Sequence, residues 1–246
     1  MTVQLDGKKL LIVGGGSGIG RQLAAEAAEA GASVIIAGRH ITGSDSDSDT
    51  GSSSATGDQH SITYAQVDLG DEASIERLAK EVGELDYLVS LANNPANGPV
   101  VELDRAALVG AFDAKVFGPI LLVKHLAPKL HQDGAILLFS GIVGWRPSAG
   151  RVATATTNGA VSFLAQALAV ELAPIRVNAL SPGIVDSGAW DAMGEKKDGF
   201  FATTAAKNPT GSIGQPADIT SAALLALTNP FLTGTTLHLD GGARLA

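Results

Sequence analysis

Short aliphatic and β-branched runs alternate along the chain with longer, alanine-rich stretches whose apolar residues recur every three or four positions. The short runs at 10–13, 33–37, 61–66, 87–91, 135–139, 175–180 and 235–239 predict strands, and the stretches at 23–30, 74–82, 106–130, 159–173 and 217–227 predict helices. Most strand runs are apolar at successive positions, so both faces of each strand are buried. Such strands separated by helices predict a parallel sheet covered on both sides. No linker and no internal repeat interrupts the order, which predicts one domain over residues 1–246. One segment breaks the alternation. Residues 42–59 are almost entirely Ser, Asp, Gly, Thr and Ala, with a Ser-Asp repeat over 44–49. A helix belongs there, but nothing apolar is available to hold it, so a solvated, mobile loop is expected, with a calcium or phosphorylation site as the sharper alternative.

Composition narrows the class. Apolar residues make up 45% of the chain and aromatic ones 4%, so the core is aliphatic. The net charge of −8, with no clustered basic face, argues against nucleic acid as a partner. Zero cysteines exclude disulfides, thiolate metal sites and a cysteine nucleophile. The five histidines show no metal-ligand spacing, and no metal is expected. No apolar run reaches membrane-spanning length and the N-terminus lacks the order of a signal peptide, so a cytoplasmic protein is expected.

The chemistry begins at the first turn. Val13-Gly-Gly-Gly-Ser-Gly-Ile-Gly20 follows the first strand and opens a helix. Glycines there allow a tight turn and a close backbone approach, and the helix start offers unpaired N–H groups to a pyrophosphate. Gly14-x-x-x-Gly18-Ile19-Gly20 resembles the fingerprint of short-chain dehydrogenases/reductases, with Val13 at the usual threonine. Val67-Asp68-Leu69, the run Arg176-Val-Asn-Ala-Leu-Ser-Pro-Gly183 and Leu239-Asp-Gly-Gly242 resemble further landmarks in the same order. The resemblance implies a Rossmann-type, doubly wound parallel sheet in a single domain. It also implies that Gly14, Ser17, Gly18, Ile19, Gly20, Asp68, Leu69, Ala92, Asn93, Asn158, Pro182, Gly183 and Val185 contact a dinucleotide. Arg39, at the end of the second strand, cannot accept hydrogen bonds from a ribose but can pair with a 2′-phosphate, which favours NADP, with NAD the alternative. The family commonly assembles as a homotetramer or homodimer, and the same is expected here.

The centre of the resemblance is vacant. The family's Tyr-x-x-x-Lys pair falls on Thr154 and Asn158, and the chain's tyrosines, Tyr64 and Tyr87, lie far upstream. The catalytic serine aligns with Gly141, beside Ser140. The helix asparagine aligns with Lys115, and Asn-Asn-Ala-Gly becomes Ser90-Leu91-Ala92-Asn93. An aliphatic hydroxyl is a poor acid near neutrality, and losing general acid catalysis costs on the order of 10²–10⁴ in rate. Lys115 reads either as a snorkelling surface residue or, with Ser140 and Thr154, as a rebuilt catalytic site. The aromatic residues Trp190, Phe200 and Phe201, in the variable segment 184–209, line an apolar substrate pocket or pack within a lid or subunit contact. Three functions stay open: an oxidoreductase on an unidentified carbonyl or alcohol with an atypical proton donor, a non-catalytic cofactor-binding sensor or partner subunit, and a non-redox enzyme on the same fold.

Overall fold

The structure is a computed structural model that describes residues 4–39 and 61–246. The serine- and aspartate-rich segment 42–59 lies outside the described residues. Seven strands, β1 (Lys9–Val13), β2 (Ser33–Gly38), β3 (Ile62–Gln66), β4 (Leu85–Ser90), β5 (Leu130–Phe139), β6 (Arg176–Pro182) and β7 (Thr236–Leu239), form one sheet in the order β3-β2-β1-β4-β5-β6-β7. Every pairing is parallel, with Leu11 of β1 in register with Ile35 of β2 and Leu88 of β4.

Side chains alternate across the sheet and fill two aliphatic cores. Leu11 and Val13 face one core with α2 (Glu72–Val82), α4 (Gly118–Leu126) and α5 (Val152–Glu171). Leu10 and Ile12 face the other, with α1 (Gly18–Glu29) and α7 (Pro216–Thr228). The doubly wound sheet expected from the pattern is therefore present. Local signals set the helix ends. Asp71 caps α2 by accepting from the Ala73 amide at 3.0 Å, and Gln215 and Asp218 form a capping box at α7.

Three expectations need correction. The long helix expected at 106–130 is divided into α3 (Arg105–Phe112), a π-helical turn (Asp113–Phe117) and α4, and Leu130 already begins β5. The cause is Pro119. It has no N–H for the carbonyl of Lys115, and its ring crowds that carbonyl, so the preceding turn widens. The amide of Gly118 instead donates to the carbonyl of Asp113, and a Cβ on Gly118 would collide with that same oxygen. A second helix, α6 (Lys196–Ala205), lies in the segment after β6, where no helix is expected from periodicity. Finally, the helical stretch Arg105–Lys129 is long and apolar enough to cross a membrane by length and composition alone, with a mean hydropathy of 1.8 in a window that is 33% buried. Its two charged residues in mid-helix, Asp113 and Lys115, both sit on the wider turn, Lys115 buried and Asp113 at the cleft.

Candidate functional site

The carboxyl ends of β1, β2, β3 and β4 open onto a cleft of about 530 Å³. Gly14, Ser17, Arg39, Asp68, Leu69, Ala92 and Asn93, all expected at a dinucleotide, line it together. The cleft lies where the strand order reverses between β1 and β4, the place at which such sheets bind ligands. Gly14 has φ +88°, and a Cβ on it would lie 2.7 Å from the Ala92 amide nitrogen, so only glycine lets the two loops meet. Ser17 precedes α1 in extended conformation with its side chain uncommitted to capping, and the first turn of α1 carries no acidic residue. Gly18, Ile19 and Gly20 form that turn, whose free amides suit a pyrophosphate. A Cβ on Gly20 would approach the Gly15 Cα to 2.6 Å, so the turn is as tight as the motif requires. Arg39 is exposed at the lip of the cleft, and Asp68 is held by the Gly70 amide at 2.9 Å. These residues fit the ADP half of a dinucleotide. Asn94, Gly110 and Asp113 also line the cleft and are not foreseen from the sequence. Asp113 reaches it because the π-helical turn re-aims that part of the helix.

Pro182 ends β6, Gly183 and Val185 follow it, and none of the three lines this cleft. The Gly183 amide donates to the carbonyl of Leu239 at 2.8 Å, and its Cα leaves room only for Asp240. Trp190 does not stand free to line a pocket. Its indole donates to the carbonyl of Val185 at 3.1 Å, and its ring packs on Phe200, which in turn meets Phe201. Lys197 fastens this aromatic group down through Asp186 at 2.8 Å and Asp191 at 2.6 Å.

Lys115, Ser140, Gly141 and Asn158 gather around the end of β5. Lys115 is only 8% exposed, which overturns the snorkelling reading. The wide turn points it inward, where its ammonium donates to the carbonyls of Phe139 at 2.9 Å and Ser140 at 3.0 Å. Among the described residues no carboxylate pairs with it. Burial alone lowers its pKa from 10.5 to about 8. Ser140 turns its hydroxyl away, donating to the carbonyl of Asn158 at 2.7 Å, while its amide donates to Leu180 at 2.8 Å. Asn158 is 3% exposed, and its amide fills the space that a side chain at 141 would need: a Cβ on Gly141 would meet Asn158 Nδ2 at 2.9 Å. Positions 141 and 158 are thus packed against each other. Thr154 stands apart from Lys115 and Ser140. Its hydroxyl donates to Asn97 Oδ1 at 3.1 Å, a partner that nothing in the sequence singles out.

The comparisons with known proteins agree with this geometry. The family model for Enoyl-(Acyl carrier protein) reductase matches residues 14–244. The short-chain dehydrogenase/reductase ATR9 of Stachybotrys chlorohalonatus (strain IBT 40285) is 31% identical, over 97% of this chain and 98% of its own. The chain belongs to the short-chain dehydrogenase/reductase family. Among other relatives, the (2S)-[(R)-hydroxy(phenyl)methyl]succinyl-CoA dehydrogenase subunit BbsD of Thauera aromatica is 29% identical over 96% of both chains. A small-chain dehydrogenase solved in complex with NADPH superimposes with a TM-score of 0.80 at 31% identity, covering 98% of this chain and 100% of the other. This member of the short-chain dehydrogenase/reductase family has a tight glycine-rich turn at the cleft and holds Lys115 buried at the end of β5.

Proposed function

We propose that this short-chain dehydrogenase/reductase is an NADP(H)-dependent oxidoreductase acting on a carbonyl/alcohol pair, with Lys115 rather than a tyrosine supplying charge and proton at the site. The observation that carries this reading is a buried ammonium fixed to the carbonyls of Phe139, at the end of β5, and of Ser140 just after it. When bound, the nicotinamide cofactor exchanges a hydride with the substrate. Arg39, at the lip of the cleft, is suited to a 2′-phosphate and supports NADP(H), as does the solved relative with NADPH. Lys115 presents a positive charge toward the oxygen on which negative charge develops, inside a wall that excludes water. With a pKa of about 8 it carries its proton at neutrality and can give it up near that pH. Ser140 fixes the strand end against α5 and acts as a positioning residue. Thr154 donates to Asn97, so its hydroxyl oxygen is left to accept from a substrate hydroxyl.

A second reading has its own support: the hydroxyl at the tyrosine position is a weak acid tied to Asn97, and the lysine position is filled by a packed amide. Those facts suit a cofactor-binding protein without turnover. One experiment separates the two. Titrating the protein with NADPH and NADH, followed by a carbonyl panel monitored at the nicotinamide absorbance, is expected to show tighter NADPH binding and slow turnover. Arg39→Glu is expected to weaken NADPH binding by at least tenfold and erase the preference over NADH. Lys115→Ala is expected to lower turnover by on the order of 10²-fold. Tight binding with no turnover across the panel favours the sensor reading, and no binding of either nucleotide sinks both. On this reading the substrate is a small molecule and the chain assembles as a homotetramer or homodimer.

A further inference from the structure

We infer that Lys115 makes the protein hold the reduced dinucleotide more tightly than the oxidised one, so that the site discriminates the redox state of its cofactor. This rests on reading the cleft as an NADP(H) site. A dinucleotide lies across the carboxyl ends of a doubly wound sheet, with its two halves on opposite sides of the switch point. Gly14, Arg39 and Asp68 place the ADP half over β1, β2 and β3. The nicotinamide half then falls over the ends of β4, β5 and β6, at Leu91–Ala92, Phe139–Ser140 and Pro182–Gly183. That is where Lys115 Nζ is anchored, on the terminal carbonyls of β5.

The two forms of the cofactor differ at this end by one positive charge, carried by the oxidised ring alone. A buried ammonium therefore repels one form and is nearly indifferent to the other. The surroundings leave that charge uncompensated. The only charged residue of α5 is Glu171, its last, and His131 and Asp133 lie at the opposite end of β5. Lys124 and His125 of α4 are taken up by Glu72, and Arg105 stands at the far start of α3. Beyond β6, Asp186 is paired with Lys197, and Asp240 with Arg244. On its own turn, Asp113 faces the ADP side of the cleft. At an effective dielectric near 20, two unit charges about 10 Å apart change an affinity by about tenfold. Burial also shields the effect from salt.

The test measures dissociation constants for NADPH and NADP⁺ on the full chain by calorimetry, with adenosine 2′,5′-bisphosphate as a probe of the ADP half. Wild type is expected to bind NADPH at least tenfold more tightly than NADP⁺. Lys115→Met and Lys115→Gln are expected to cut that ratio by about tenfold, through tighter NADP⁺ binding, with the bisphosphate unaffected. An arm independent of any variant uses wild type alone: as pH rises from 7 to 9.5 the ammonium loses its proton, and the ratio should fall by a similar factor. A ratio that is unchanged in both variants, or flat with pH in wild type, overturns the inference while leaving the NADP(H) site standing. Failure of NADPH, NADP⁺ and the bisphosphate alike to bind overturns the reading beneath it.

Discussion

Lys115 and Asn158 pack against the chain at the end of β5 from two different helical segments. The Asn158 amide lies where a side chain at 141 would go, and Lys115 holds the strand end through the carbonyls of Phe139 and Ser140. A buried lysine with neutral partners carries a cost, and its sign with pH is definite. Its pKa in the folded chain, about 8, is below the ordinary 10.5, so between these values the unfolded chain binds more protons and stability rises with pH. The penalty is complete below pH 8 and fades toward 10.5. Lys115→Met removes the titration but strands two carbonyls. Urea denaturation of both proteins should show wild type gaining roughly 2 kcal/mol on the variant between pH 7 and 10. A constant difference would show that the ammonium is solvated after all. Lys115 was legible in the sequence because it replaces an expected asparagine. Its carbonyl partners were not, since backbone acceptors leave no trace in a side-chain pattern.

Among the elements, the π-helical turn and α6 carry the departures from the pattern. The turn follows from Pro119 at a fixed distance from Lys115, a local rule that the apolar periodicity of the surrounding helix conceals. α6 escaped because it has no buried residue of its own, and periodicity reports burial. What holds α6 is specific: Lys197 bridges Asp186 and Asp191 and lies 5.3 Å from the Phe201 ring centre. Exposed ion pairs contribute little to global stability, so the expected result for Lys197→Met is local. Amide exchange across 190–205 should accelerate several-fold while the melting temperature stays within about 2 °C of wild type. A large fall in melting temperature with no local change would contradict the clamp.

At the scale of the whole molecule, the apolar surface is uneven. Phe117 and Ile120 are 49% and 41% exposed, and on α5 Val152 is exposed to a similar degree while Phe163 and Val170 stand out further, with Phe163 at 72%. Contiguous exposed apolar side chains on adjacent helices mark a contact surface. Sedimentation at micromolar concentration is expected to give a dimer or tetramer, and Phe163→Glu to weaken association by at least tenfold. A wild-type monomer would refute this. The sequence by itself determined the sheet, its two aliphatic faces and the phosphate-binding turn, because burial period and glycine geometry are local properties of the chain. Only the tertiary structure decided how the residues around the end of β5 meet. The burial of Lys115, the meeting of Asn158 with Gly141 and the pairing of Thr154 with Asn97 each join residues distant in sequence, and desolvation of a charge exists only once the fold has excluded water around it.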